Sequence, residues 1–331
     1  MRHLWFIALS VLILASCKTP KSYTKIEGFT QGTTYSISYY DSLNRNFSPQ
    51  IDSILSRIDY SMSIYNNSST ISKLNSNQSD SIDNLLKEVI LASFDIYRQT
   101  DGAFDITVGP IVRAIGFGPD KTDGIDSAKI KSLLPLIGMD KIRIEGNRLI
   151  KEDSSIQLDV NAIAQGFTVD VIGEFLESKG IKNYLVEVGG EITARGINTK
   201  GTEWVVGIDK PVESAIPGEN IQAKVLLSNG YGLATSGNYR KFIEVNGQKY
   251  AHTINPKTGF PELNDLLSAT VVAPTAAKAD ALATAFMVKG LEWSKKFVAS
   301  NKNVDAYLVY SDSLGNYQSW MNKGMEKRIL P

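Results

Sequence analysis

The sequence has a single cysteine, Cys17, and two histidines, His3 and His252. One thiol excludes an internal disulfide framework and a thiolate metal site. Charge of one sign is also lacking. Lys plus Arg number 35 against 35 Asp plus Glu, and with no basic stripe there is no footprint for nucleic acid. No Gly-x-Gly-x-x-Gly follows a first strand, which excludes the usual dinucleotide-binding turn. The one marked apolar run, Leu4 to Ala15, is too short to span a bilayer as a stable helix.

What is there begins with that run. A basic lead, Met1-Arg2-His3, precedes it, as in an export signal. It ends in Leu14-Ala15-Ser16-Cys17, which resembles the lipobox of bacterial lipoproteins. That reading makes residues 1–16 a signal peptide, Cys17 the lipidated residue, and 17–27 a tether. The remaining 28–331 then form one domain on the periplasmic side of the cell membrane. A hydrophobic fraction of 43% and a charged fraction of 21% are enough for a sizeable core. With His3 in the removed signal, His252 is the one imidazole of the mature chain.

His252 opens the stretch His-Thr-Ile-Asn-Pro-Lys-Thr-Gly-Phe-Pro, residues 252–261. A strand running into a rigid turn is a common position for a reactive side chain, though such a His can equally cap a hairpin. Asn246-Gly247 before it favours a type I′ hairpin.

Periodicity gives the frame. Thr33 to Tyr40 alternates as a half-buried strand after Gln31-Gly32. Helical stripes run over Ile51 to Tyr60 and Leu85 to Thr100, with a Ser/Asn-rich loop from about Tyr65 to Ser81 between them. Thr100 to Asp105 is a tight Asp-Gly turn whose carboxylates can bind ribose hydroxyls or a cation, or simply the turn. Ile115 to Asp120 reads as a loop, Ala128 to Ile137 as a short helix, and Lys141 to Ile150 as a hairpin. A strand ends at Gln157-Leu158-Asp159 and a helix begins near Asn161 or Ala162. Ile163, Phe167, Val171 and Phe175 form its buried face, and Gly180 stops it. Asp159 can cap that helix or meet a ligand, and a helix start with little side-chain bulk suits phosphate.

Strands follow at Tyr184 to Val188, Glu191 to Ala194, Trp204 to Ile208, Ala223 to Leu227, Ser268 to Ala273 and Val304 to Tyr310. Gly232 to Gly237 reads as a loop of small residues. A helix capped by Thr275 runs to Lys289. On it Asp280 and Thr284 share a face among alanines. Those oxygens suit Mg²⁺, while the plainer reading is an alanine-rich helix buried against a sheet.

Taken in order, these stretches resemble the ApbE family, the FAD:protein FMN transferases, from about Phe29 to Val309. The resemblance rests on Gly32-Thr33-Thr34-Tyr35, on Met62-Ser63-Ile64-Tyr65 and on Thr100 to Asp105 with Gly109-Pro110. Asp159 to Asp170, Thr235-Ser236-Gly237, His252 to Pro261 and Ala279 to Thr284 complete it. It implies an α+β fold of largely antiparallel sheets with helices packed on them, and Mg²⁺-dependent transfer of FMN from FAD to a Ser/Thr hydroxyl of a periplasmic target protein. It further implies His252 as base and Asp280 and Thr284 as metal ligands, with backbone oxygens of Ala162 and Ala283. Gln31, Tyr65, Ala103, Phe104, Asp105, Asp159, Gln165 and Ile254 would hold FAD. The sequence departs from the family at Gln31, where Met is usual, and at Gln165, where Lys is usual. Two other outcomes stay open: hydrolysis of FAD to FMN and AMP, since the acceptor lies outside this chain, and FAD binding without chemistry, which the loss of that cation favours.

Overall fold

The computed structural model of the protein describes residues 22–117, 126–211, 219–238, 242–245, 248–251, 253–262 and 264–331. Cys17, His252 and the Asn246-Gly247 turn lie outside the described residues. The alternation near Thr33 becomes a strand whose Tyr35, Ile37 and Tyr39 are buried. It forms a hairpin, β1 (Thr24–Thr30) with β2 (Thr33–Tyr39). Gln31 and Gly32 make the tip at φ of 50° and 75°. β1 begins inside the stretch assigned above to the tether.

Helices α1 (Ser48–Met62), α2 (Thr70–Asn75) and α3 (Asn84–Gln99) come next. α2 corrects the expected Ser/Asn-rich loop. Ser69 caps it by accepting the Ser72 N–H, and Ile71 and Leu74 supply its buried face. The same residues that read as loop are those that favour an N-cap. α4 (Gly109–Ile115) was also not expected. It starts with a Pro in its first turn and stops at Gly116, φ 100°. α5 (Ser127–Leu133) and the hairpin β3 (Ile142–Glu145) with β4 (Arg148–Lys151) follow the sequence pattern.

The strand expected before Asp159 is reduced to one parallel bridge between Val108 and Gln157. α6 (Asn161–Ser178) then starts where expected. Its buried face is wider than the spacing by four suggests. Val169, Ile172 and Leu176 are fully buried, whereas Val171 and Phe175 are only half-buried. A helix packed on two sides needs more than one stripe.

The rest of the chain supplies β5 (Tyr184–Val188), β6 (Glu191–Arg195), β7 (Trp204–Asp209), β8 (Ile221–Leu227), β9 (Gly232–Gly237), β10 (Phe242–Val245), β11 (Gln248–Ala251) and β12 (Leu266–Ala273). Helices α7 (Ala276–Lys289) and α8 (Leu291–Ser300), strands β13 (Asp305–Ser311) and β14 (Tyr317–Met321), and α9 (Lys323–Glu326) complete it. Among the described residues the main sheet has eight strands in the order β1-β2-β5-β6-β9-β12-β13-β14, all paired antiparallel. β9 therefore corrects the small-residue loop. It is a central strand, and its glycine is there because a Cβ on Gly232 would lie 2.1 Å from the Ala276 nitrogen.

One face of the sheet carries α6 and α7. Their residues join a large apolar cluster with α1 and α3. On the other face Val206 and Ile208 of β7 and Val225 and Leu227 of β8 cover Ile192, Leu233 and Val309. A third cluster, Ile111, Ile115, Ile130 and Ile137, receives Ile254, which fixes the 253–262 turn against α4 and α5. These side chains are almost wholly buried, each worth roughly 1.5–3 kcal/mol against exposure.

α6 and α7 also lie close against each other. A Cβ on Gly166 would stand 2.4 Å from the Ala276 carbonyl oxygen. Gly166→Ala should therefore destabilise the protein although alanine is the better helix former by about 1 kcal/mol. Overpacking of this kind costs about 1–3 kcal/mol. Thermal melts should show a midpoint lowered by several degrees, and a raised midpoint would mean that the helices can part freely.

Candidate active site

Helix α6 presents its first turn to a cavity of 650 Å³. Four pieces of chain close on it. The hairpin tips Gln31-Gly32 and Gly189-Gly190 form one wall. The Met62-Tyr65 segment and the Ala103-Phe104-Asp105 turn form a second. Asp280 and Thr284 of α7, with Thr235 and Ser236 of β9, make the floor, and Thr253, Ile254 and Pro256 come in from the side.

Of the sequence-derived site residues, Gln31, Tyr65, Ala103, Phe104, Asp105, Asp159, Ala162, Gln165, Ile254, Asp280 and Thr284 all line this one cavity. Ala283 is wholly buried and is not among the lining residues. His252 lies outside the described residues, but the two residues after it line the cavity.

Asp280 is 7% exposed. Its Oδ2 accepts the Gly166 N–H at 3.2 Å. In a regular α-helix that N–H serves the carbonyl four residues back, here Ala162, so the carboxylate and the Ala162 carbonyl are brought to the same donor. Burial, with the charge of Asp170 added, pushes Asp280 up to about 7, against the pull of the Gly166 N–H. Among the described residues no basic side chain pairs with it. One turn further along α7, Thr284 Oγ1 lies 3.3 Å from Ser236 Oγ. A buried carboxylate without a countercharge, a hydroxyl and a helix carbonyl form an all-oxygen donor set of the kind Mg²⁺ takes, with water and phosphate completing the shell. The residues present therefore fit that ion.

Asp170 explains why α7 sits there. Its Oδ1 and Oδ2 accept the Ala276 and Ala277 N–H groups at 2.9 and 2.8 Å, capping α7 from the middle of α6. Burial pushes it up to about 7.

Asp105 looks inward as well as to the cavity. Its Oδ1 accepts the Thr107 N–H at 2.7 Å and the Thr107 hydroxyl at 2.6 Å, and burial pushes it up to about 6. Asp159 accepts the Asn161 N–H at 2.9 Å. Burial raises its pKa, opposed by that N–H and by the nearby Arg113 charge. It thus serves the start of α6 from two residues before it, while also lining the cavity. Tyr65 is 62% exposed at the mouth, and burial of part of its ring with the Asp159 charge raises its phenol.

The two departures from the family pattern sit together. Gln31 donates to the Thr168 hydroxyl at 2.7 Å, which fastens the hairpin tip to α6. Gln165 lies against Gly189, where an added Cβ would meet its Nε2 at 2.8 Å. Both side chains line the cavity beside the two hairpin tips.

Sequence reasoning missed Glu191 and Asp209, carboxylates that also line the cavity. Each sits at the end of a strand, and nothing in the alternation of β6 or β7 marks either end as a cavity wall.

Comparisons with known proteins point to one family. The model of the ApbE family matches residues 31–308. The FAD:protein FMN transferase of Vibrio cholerae is 34% identical over 318 residues, 93% of this chain and 94% of its own length. That of Haemophilus influenzae is 35% identical over 313 residues, 90% and 89% respectively. The solved flavin transferase ApbE from Vibrio cholerae superposes with a TM-score of 0.83 at 31% identity, covering 93% of this chain and 100% of that one. The ApbE protein of Thermotoga maritima gives 0.81 at 26% identity, covering 94% and 100%. With the motifs in order, the cavity they build and a family match over most of its length, this chain belongs to the ApbE family.

Proposed function

We propose that the chain transfers FMN from FAD to a Ser or Thr hydroxyl of a periplasmic target protein, releasing AMP, with Mg²⁺ as cofactor and Cys17 as lipid anchor. The observation that carries this reading is the convergence of α6, Asp280, Thr284, Phe104 and Tyr65 on one cavity. The relatives named FAD:protein FMN transferase support the reaction class.

In this reading the chain has three tasks. Tyr65 and the Ala103-Phe104-Asp105 turn hold the flavin, the exposed Tyr65 ring covering a planar face. The α6 N-terminus, flanked by Asp159, Gln165 and Gln31, receives the pyrophosphate, since the first N–H groups of a helix are natural anion donors. The third task is proton removal. The acceptor oxygen bonds to the FMN-side phosphorus as the bond from that phosphorus to the AMP oxygen breaks. His252 takes the acceptor's proton, a role suited to a neutral imidazole. Asp280, Thr284 and the Ala162 carbonyl would hold Mg²⁺, which when bound supplies positive charge against the phosphate oxygens. Of the oxygens implied for the shell, the Ala283 carbonyl has the least support from the geometry.

Incubation with FAD, Mg²⁺ and a periplasmic protein bearing a Ser/Thr acceptor motif tests the reaction. The expected outcome is a flavin-labelled target that survives denaturing electrophoresis, with AMP in solution. Free FMN and AMP beside an unmodified target would make the protein a hydrolase. Intact FAD would make it a binding protein. His252→Ala should keep FAD affinity and lose turnover by roughly 10²–10⁴, with the acidic limb of the pH profile gone when Mg²⁺ is saturating at every pH. Normal turnover at saturating FAD in that variant would move the base elsewhere, Asp105 being next to test.

Metal binding should follow the proton on Asp280. Its folded-state pKa is raised, to about 7, so the metal-free protein carries that proton below this pH. Mg²⁺ must displace it, and affinity should fall about tenfold per pH unit below about 7. The same sign applies to stability: the protonated form is favoured in the fold, so its contribution is lost as pH rises between the ordinary carboxylate range and about 7. Titration calorimetry with Mg²⁺ alone should show proton release in wild type and neither release nor pH dependence in Asp280→Asn. A pH-independent affinity in wild type would place the charge that binds Mg²⁺ on another residue.

A further inference from the structure

The main sheet has two functional ends. At one, the tips Gln31-Gly32 and Gly189-Gly190 line the cavity. At the other, Thr24 pairs with Tyr39, Tyr39 with Tyr184, and Tyr184 with Arg195, so the start of β1 lies in one row with the end of β2, the start of β5 and the end of β6. The chain thus enters the domain at the end opposite the cavity. β2 has seven residues between these ends, roughly 20–25 Å at the usual rise of a strand.

That entry end carries an amphipathic surface. Tyr23 packs against Tyr40 at 5.7 Å and against Trp204 at 5.8 Å between ring centroids. Its hydroxyl donates to the Ile197 carbonyl at 2.5 Å, and Trp204 Nε1 donates to the Arg195 carbonyl at 3.0 Å. Beside them Leu43 is 70% exposed on a loop that Arg45 ties to Asp41 and to the Lys179 carbonyl. Lys179, Lys182 and Lys200 are exposed and have no carboxylate partner among the described residues. Of the acids at this end, Asp41 and Glu177 are paired with Arg45 and Arg195, and Glu203, exposed beside Trp204, accepts the Ser228 hydroxyl. Clustered Tyr and Trp rings, a projecting Leu and unpaired lysines are the composition that settles at a bilayer headgroup layer.

We propose that this end of the sheet is a membrane-contact face that rests on anionic lipid headgroups and points the cavity away from the bilayer. The inference rests on the Cys17 anchor of the proposed function. From Cys17 to Ser22 is five residue steps, a reach of at most about 18 Å, so the entry end is the part of the domain that a lipid on Cys17 must hold near the membrane. With the cavity at the far end, an acceptor hydroxyl must be presented from the aqueous side, by a segment that stands clear of the lipid surface.

The test uses the full-length lipidated protein with one introduced cysteine, Leu43→Cys or Leu314→Cys, labelled with a bimane fluorophore. Leu314 is 85% exposed in the turn after β13, at the cavity end. The protein is reconstituted on vesicles of phosphatidylethanolamine and phosphatidylglycerol with brominated acyl chains as quencher. The expected result is one dye per chain, with quenching several-fold stronger at 43 than at 314. The Lys182→Glu/Lys200→Glu double variant, both sites exposed, should reduce that quenching and weaken binding of the unlipidated Cys17→Ser chain to the same vesicles by about tenfold or more. Two dyes per chain would show that Cys17 is free, overturning the anchor and this face with it. One dye per chain with equal quenching at both positions, or stronger at 314, would overturn the face and leave the anchor standing. Transfer of FMN in solution is unaffected by either result, so the reaction itself is judged separately.

Discussion

The Asp170 carboxylate is the point on which the site depends. It reaches from the middle of α6 and takes both of the first two N–H groups of α7. A carboxylate at a helix start meets unsatisfied donors and the positive end of the helix dipole, and hydrogen bonds to a charged acceptor are worth about 1.5–3 kcal/mol. The bond pair fixes where α7 begins and how closely it lies on α6. Gly166 then has to be glycine, because Ala276 occupies the space of a side chain. One turn along α7 from this contact, Asp280 is left facing the first turns of α6, with the Gly166 N–H as its donor. Gly232 on β9 makes the matching concession from the sheet side. The alanines of α7 are therefore spent on close packing, while Asp280 and Thr284 are the polar atoms that packing leaves at the cavity floor.

Burial raises the pKa of four carboxyl groups around that floor: Asp105, Asp159, Asp170 and Asp280. Among the described residues, Asp159 alone of these four feels a basic side chain, that of Arg113. Gln165, where the family pattern has a lysine, adds no charge. Where these carboxyls are ionised, a pyrophosphate would meet negative charge in a poorly screened interior. In the proposed reaction a divalent cation held by Asp280 would offset that repulsion. The amide at 165 lies against Gly189.

Much of this was legible in the sequence because the site residues lie on elements with strong local signals. α6 and α7 have clear starts and glycine stops, so Asp280 and Thr284 could be placed on one face before any coordinates. The Asp-Gly turn at 101–102 is likewise a local feature, with both residues at positive φ. What failed was of two kinds. α2 and β9 are made of small or polar residues whose local preference is for loops, and each is ordered by contacts distant in sequence: Asn75 bonded to the Leu158 backbone, Gly232 pressed on Ala276. Glu191 and Asp209 failed for another reason. A carboxylate at a strand end is ordinary in sequence, and only the closing of four separate segments turns it inward.

The antiparallel sheet also explains how one small domain keeps the entry of the chain and the cavity apart. Hairpins return the chain to the same end they left, so β1–β2 and β5–β6 put their tight glycine turns together at the cavity and their open ends together where the chain enters. A parallel sheet with the same strands would need crossovers and would mix the two populations of loops. The tight turns are Gly-rich because Gly32, Gly189 and Gly190 all sit at positive φ, whereas the open ends carry aromatic and basic residues away from the cavity. The separation is set by strand length, and it is rigid because Ile37 and Tyr39 of β2 and Tyr184 and Val186 of β5 are buried beneath α6 along that length.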